Sequence, residues 1–74
     1  MFENTETAKY VSDLLLEING RLSESIERVQ ETSAPEEFAN YHRRVGALVY
    51  SVFEQILVPI YIKHPELKPP GLEL

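Results

Sequence analysis

The two histidines are the first candidates for a functional site, because neutral imidazole is a common metal ligand. His42 and His64 lie about 22 positions apart, which is about 33 Å along one helix and too far to share a metal ion within the chain. The sequence contains no cysteine and no His-Glu-x-x-His motif. A two-fold dimer could bring two copies of His42 together, but nothing in the sequence requires it. We therefore predict no metal site and no cofactor.

Glu54 and Gln55 form a polar pair inside the most apolar part of the sequence. A partly buried carboxylate there would be a candidate acid or recognition point. We favour the alternative in which Glu54 lies in a polar arc of a helix and Gln55 is a seam residue that fixes register. No base or nucleophile accompanies Glu54, and the sequence lacks a Gly-rich phosphate loop and a nucleophile elbow. We predict that the protein is not an enzyme.

Arg43 and Arg44 form the one basic cluster of the sequence. Guanidinium groups bind phosphates and carboxylates, so the pair suits a phosphate, an acidic partner or acids of a neighbouring helix. The whole chain has seven Lys and Arg against twelve Asp and Glu, a net charge of −5 at pH 7, which argues against nucleic-acid binding. A small nucleic-acid-binding regulator that uses Arg43 and Arg44 in a dimer is kept as the alternative function.

Apolar residues that recur at alternating spacings of three and four predict a first helix over residues 4–31. The seam of this helix is Ala8, Val11, Leu15, Ile18, Leu22, Ser25 and Val29. Asn-Gly can end a helix, but the seam keeps its phase across Gly20. We therefore expect one continuous helix.

Pro35 divides the sequence, and a second helix is predicted over residues 34–63. Ser33 and Glu36 have the spacing of a capping box, and Pro35 suits the first helical turn. The short link makes the two helices antiparallel within one domain, residues 1–64. Pro59 predicts a kink or an early end of the helix near residues 55–58. The proline-rich tail, residues 65–74, is expected to be extended, and whether it docks on the helices or stays free is open.

The second helix carries two apolar stripes. Its heptad seam is Phe38, Tyr41, Val45, Leu48, Val52, Gln55, Pro59 and Ile62, and a second set beside it is Val49, Phe53, Ile56 and Ile60. Together they span about 200° of the helix, about twice the stripe that a surface helix needs. We expect the first helix to cover the seam and to leave the second set without a partner in the chain.

The uncovered stripe predicts an interface between molecules. The predicted interface residues are Val45, Leu48, Val49, Val52, Phe53, Ile56 and Ile60, with Arg43, Arg44 and Glu54 as polar contacts. We expect an all-α hairpin that pairs into a homodimeric four-helix bundle and acts through protein–protein association. A different protein as obligate partner is the next alternative.

A short membrane-spanning segment is the third alternative. Residues 45–62 are mostly apolar and have basic residues on both sides. Glu54 and Gln55 at the centre of this segment disfavour insertion. The N-terminal residues lack the pattern of a secretory signal, so we expect a cytoplasmic protein.

Overall fold

A computed structural model describes residues 1–72, which form a helical hairpin and contain no β-strand. Its elements are α1 (Thr5–Thr32), α2 (Pro35–Val52), a π-helical turn (Phe53–Leu57), α3 (Val58–Lys63) and a 3₁₀ turn (Pro65–Leu67). The three middle elements follow one another without a break, and together they are called the second arm, Pro35–Lys63. The all-α helical prediction is confirmed. The molecule is elongated, with extents of 45 × 20 × 15 Å.

The first helix begins and continues as its residues predict. Asn4 caps it, since the Asn4 side-chain oxygen accepts a hydrogen bond from the backbone N–H of Thr7 at 3.1 Å. The carboxylate of Glu6 lies in the first turn, where the helix dipole favours negative charge. The helix runs through Gly20 without interruption, which confirms the prediction of one continuous helix.

The predicted capping box at Ser33 and Glu36 is wrong by one residue. Ala34 is the N-cap of α2, and its backbone N–H donates to the Glu37 carboxylate at 3.2 Å. A residue before proline is held in extended backbone, and Ala34 has φ −64° and ψ 151°. The helix therefore begins at Pro35, which makes Glu37, rather than Glu36, the third helical residue.

The π-helical turn lies directly before Pro59, close to the predicted kink. Pro59 has no N–H to donate to the carbonyl of Gln55, so one α-helical hydrogen bond is missing there. The N–H of Val58 donates instead to the carbonyl of Phe53, five residues earlier. The helix does not end early, since the second arm continues to Lys63, and the π-helical turn lies where the kink was predicted.

The face of α1 that packs on the second arm keeps six of the seven predicted seam residues, which are buried or half-buried, and is shifted toward one side of that seam. The residues along its centre are Ala8, Ser12, Leu15, Asn19, Leu22, Ile26 and Val29, all buried or half-buried. Ile18 was expected in the seam but is 40% exposed, whereas Ser12 is buried. A polar residue can take a buried position when its hydroxyl finds a partner, and Tyr61 supplies one to Ser12.

The second arm also leaves the predicted seam after Val45. Leu48, Gln55 and Ile62 of that seam are exposed. Residues that pack inward recur every four positions instead, at Val45, Val49, Phe53, Leu57 and Tyr61. Val45 and Val49 lie in regular α-helix, and the step from Phe53 to Leu57 spans the π-helical turn.

The expectation that Val49, Phe53, Ile56 and Ile60 lack a partner in the chain therefore fails in large part. Ile60 is completely buried, and Phe53 and Ile56 pack against the core. Val49 is half-buried. The hairpin itself therefore covers most of this stripe.

The core lies at the base of the hairpin, the end where the two termini meet. It consists of Ala8, Leu57, Ile60 and Tyr61. Half-buried apolar side chains surround it: Phe2, Val11, Leu15, Leu16, Val52, Phe53, Ile56, Leu67 and Leu72. Leu67 and Leu72 belong to the tail, so the described part of the tail docks on the base. Glu73 and Leu74 lie outside the described residues.

Candidate functional site

Two serine–tyrosine hydrogen bonds join α1 to the second arm. The hydroxyl oxygens of Ser12 and Tyr61 are 2.5 Å apart in a buried position near the base. Those of Ser25 and Tyr41 are 2.6 Å apart nearer the link between the helices. The Ser25 hydroxyl also donates to the carbonyl of Leu22 at 2.6 Å, so Tyr41 is the donor in the second pair. The two bonds fix the register of the arms.

Asn19 lies on the same face of α1, between the two serines. Its side-chain carbonyl oxygen is buried and has no hydrogen-bond partner among the described residues. An unsatisfied buried acceptor lowers stability by about 1–3 kcal/mol. The heptad pattern missed Ser12 and Asn19 because it counts apolar residues alone. A polar residue at regular helical spacing, with a tyrosine on the other helix to bond it, is a signal that the sequence does contain.

The chain termini are held together at the base. His64 is buried, and its Nε2 donates to the carbonyl of Phe2 at 2.8 Å. The Lys63 ammonium lies 2.7 Å from the Glu3 carboxylate. The Nδ1 atom of His64 lies 3.6 Å from the Glu66 carboxylate. The His64 side chain is therefore part of the packing at the base and is not a free ligand-binding group.

The contact with Lys63 changes the pKa of the Glu3 carboxyl group. The hydrogen bond from Lys63, together with the positive charge of that ammonium, lowers the pKa of Glu3 from its usual value of 4.5. A lowered pKa means that the folded state favours the carboxylate form, so Glu3 contributes stability above pH 4.5 and loses it as the pH falls through its folded-state pKa.

The two arginines of the basic cluster do not meet the acids of α1. The guanidinium groups of Arg43 and Arg44 both donate to the Asn40 side-chain oxygen, at 3.0 and 3.1 Å. Both arginines are exposed. Their position is open to solvent, and the Asn40 oxygen holds the two charges near each other.

The other polar candidates stay apart. Glu54 is exposed, and exposed Gln55 donates to the Ser51 hydroxyl at 2.9 Å. Exposed His42 lies beside the ring of Phe38, with centroids 5.7 Å apart. Among residues 1–72, no three acidic, histidine or cysteine side chains are grouped as a metal site would need.

The structure divides the predicted interface residues into three groups. Val45 and Ile60 are buried within the hairpin. The half-buried ones are Val49, Val52, Phe53 and Ile56. Leu48 is 52% exposed. Most of the predicted interface residues therefore pack within the hairpin, and Leu48 is the one whose side chain is mostly exposed.

An apolar surface remains open on a different side of the hairpin, and sequence reasoning missed most of it. Leu14 and Ile18 of α1 are 41% and 40% exposed. They border a groove of about 500 Å³ that crosses to the second arm, lined by Leu14, Glu17, Ile18, Arg21, Leu22, Ser25 and Tyr41. We call Leu14, Ile18, Leu22 and Tyr41 the Ile18 flank.

The second arm is long and apolar enough to cross a membrane, with a mean hydropathy of 1.7 over its most apolar window. The core helix of a soluble protein passes the same test. In this hairpin only 22% of that window is buried, at Val45, Leu57, Ile60 and Tyr61, so the arm contributes these residues to the chain's own packing and exposes much of the rest.

Comparison with protein-family models, curated proteins and solved structures finds no match for this chain.

The two serine–tyrosine bonds lead to a paired prediction. Tyr61→Phe is expected to lower the free energy of unfolding by about 1–3 kcal/mol, because it leaves the Ser12 hydroxyl buried without its partner. Tyr41→Phe is the matched control, with an expected loss below about 1 kcal/mol, because Ser25 keeps its bond to Leu22. Urea unfolding followed by circular dichroism measures both, and equal losses would contradict the assignment.

The contact between Glu3 and Lys63 leads to a pH prediction. Glu3→Gln is expected to melt below the wild-type protein at neutral pH, because the folded state favours the charged carboxylate. The difference in melting temperature should vanish as the pH falls well below 4.5, where both proteins are neutral at this position. Glu27→Gln, at the far end of the hairpin, is the control. A gap for Glu3→Gln that persists at low pH would show that the charge is not its cause.

Proposed function

We propose that this chain is a non-enzymatic protein that acts through protein–protein association, and that its first partner is a second copy of itself. The assembly would be a four-helix bundle made of two hairpins. The observation that carries the proposal is the amount of surface that the single hairpin leaves in water.

The solvent-accessible area of the chain is 5487 Å². A compact monomer of 8.5 kDa is expected to expose roughly 4,650 Å². The excess is about 800 Å², which is the area that each partner buries in a protein–protein interface of standard size. Covering one face of each hairpin would therefore bring the exposed area to the value typical of this mass.

The distribution of buried residues supports the same conclusion. The buried hydrophobic residues are Ala8, Val45, Leu57, Ile60 and Tyr61, and four of the five form the core cluster at the base. The middle of the hairpin contains the unsatisfied oxygen of Asn19 and the open side chains of Ile18 and Leu48. This middle part is the least stabilised part of a single hairpin, so packing against a partner would stabilise it the most.

Association is also consistent with the polar side chains. The shifted pKa of Glu3 is explained by its contact with Lys63 and needs no catalytic role. Arg43 and Arg44 are held by Asn40 on the surface, where they are available as rim contacts. Charges at the rim of an interface affect the rate and specificity of association more than its affinity.

The mass of the purified protein in solution tests this proposal. Sedimentation equilibrium at micromolar concentration, without detergent, is expected to give twice 8.5 kDa. One face of each copy is then covered by the other. A mass of 8.5 kDa that stays constant up to millimolar concentration would refute self-association, and aggregation that only detergent prevents would favour the membrane alternative.

A further inference from the structure

We propose that Asn40, Arg43 and Arg44 form a binding site for a phosphate group, either free or carried by a small molecule. All three residues belong to α2, so the site is complete in one chain and does not depend on the proposed self-association. Three features of this arginine pair support the assignment: the convergence of the two guanidinium groups, the distance to the acids of the hairpin, and the neutral residue that holds the pair together.

The two guanidinium groups converge on a single oxygen atom. Nη2 of Arg43 donates to Oδ1 of Asn40 at 3.0 Å, and Nε of Arg44 donates to the same atom at 3.1 Å. The two nitrogen atoms are therefore at most about 6 Å apart, a gap that two hydrogen bonds to neighbouring oxygens of one phosphate can span. A guanidinium group has five N–H donors, and these two bonds use one from each arginine. The remaining donors are available to a ligand.

No carboxylate offsets the two positive charges within residues 1–72, because neither guanidinium group has an Asp or Glu oxygen within 4.0 Å. The Glu37 carboxylate accepts a hydrogen bond from the backbone N–H of Ala34. Glu36 borders the same shallow groove as Arg43, but it lies seven residues earlier, about 10.5 Å along the helix axis. The pair is thus a locally positive spot on a chain whose net charge is −5.

Asn40 holds the two arginines without neutralising them. An amide oxygen accepts hydrogen bonds as a carboxylate oxygen does, but it carries no formal charge. An aspartate at this position would hold the same two groups and cancel one of the two charges. Asn40 therefore orients the donors in advance, which lowers the entropic cost of binding, and leaves their charge available to an anion.

A phosphate group matches this pair better than a carboxylate does. A phosphate ester carries a charge of about −1.5 to −2 at pH 7 and has three strong acceptor oxygens. Two adjacent guanidinium groups match that charge, and the planar fork of arginine suits phosphate oxygens. Asn40, Arg43 and Arg44 are all exposed. Because the rim of an interface stays accessible to solvent, a ligand can reach the pair in a dimer as well.

The charge of the chain favours a small phosphorylated ligand over a nucleic acid. Binding to a nucleic-acid backbone gains its affinity from several cations that neutralise successive phosphates. This surface offers two, and Glu36 and Glu37 lie exposed in the first turn of the same helix. A longer polyanion would meet these acids, whereas a ligand with one or two phosphate groups contacts only the arginine pair.

Titration with inorganic phosphate and pyrophosphate at low salt tests the site, followed by the Nε–Hε signals of the arginines in ¹⁵N NMR spectra. We expect saturable shifts at Arg43 and Arg44, and binding at least about tenfold tighter than that of acetate. The double variant Arg43→Gln with Arg44→Gln is expected to raise the dissociation constant about tenfold or more.

The matched control is the double variant Arg21→Gln with Arg28→Gln. It removes the same charge from the chain, but its two positions lie about two helical turns apart and cannot converge on one phosphate. It should leave the dissociation constant within about twofold of the wild-type value. An equal loss in both double variants would show that only the total charge matters and would overturn the site.

Asn40→Asp separates charge from orientation. This variant keeps the acceptor for both arginines and adds one negative charge at the centre of the pair. We expect phosphate binding to weaken about tenfold or more, while the melting temperature stays at or above that of the wild type, because acid–arginine pairs three and four residues apart stabilise a helix. Wild-type phosphate affinity in Asn40→Asp would show that Asn40 only supports the helix.

Two further results would overturn the assignment. One is the lack of any saturable shift at Arg43 and Arg44 with either phosphate probe. The other is a duplex oligonucleotide that binds the pair more tightly than pyrophosphate does, which would replace the small ligand with a nucleic acid. Neither result depends on the oligomeric state of the protein, so the site and the proposed self-association stand or fall separately.

Discussion

Two helices can cover only one stripe of each other, and this limit governs the whole structure. Leu57, Ile60 and Tyr61 of the second arm lie against Ala8 and Ser12 of α1 at the base, where the two termini add further cover. The described residues of the terminal segments that pack on the helices, Phe2, Leu67 and Leu72, lie at the base rather than in the middle. Apolar side chains in the middle stay open on one side, and the buried oxygen of Asn19 has no partner among the described residues.

Pro59 determines how the second arm uses its wide apolar arc. The π-helical turn before it lets the chain bury Leu57 and Tyr61 four residues apart, on the stripe that also includes Phe53. Leu48, five residues before this turn, is exposed, as is Ile18 on α1. Pro59 thus influences which apolar side chains enter the core after Val52, whereas Leu48 lies in the regular α-helix before the turn.

The sequence predicts the helices well because their signals are local. The continuity of α1 through Gly20 and the change in backbone hydrogen bonding before Pro59 depend on a few neighbouring residues. The inward faces could not be predicted in the same way. Burial of Ser12 depends on Tyr61, which is distant in sequence, and Ile60 is buried in a cluster that includes Ala8 of the other arm. The one-residue error at Ser33 has a local source instead, since Pro35 decides where the helix starts.

The central claim is that a second copy completes the packing that one hairpin leaves unfinished. The dependence of thermal unfolding on protein concentration tests it most directly, because a folded state stabilised by association gains stability by mass action. The claim predicts a melting temperature that rises by several degrees for each tenfold increase in concentration. A wild-type melting temperature that is independent of concentration across the range in which the dimer should dissociate would contradict it.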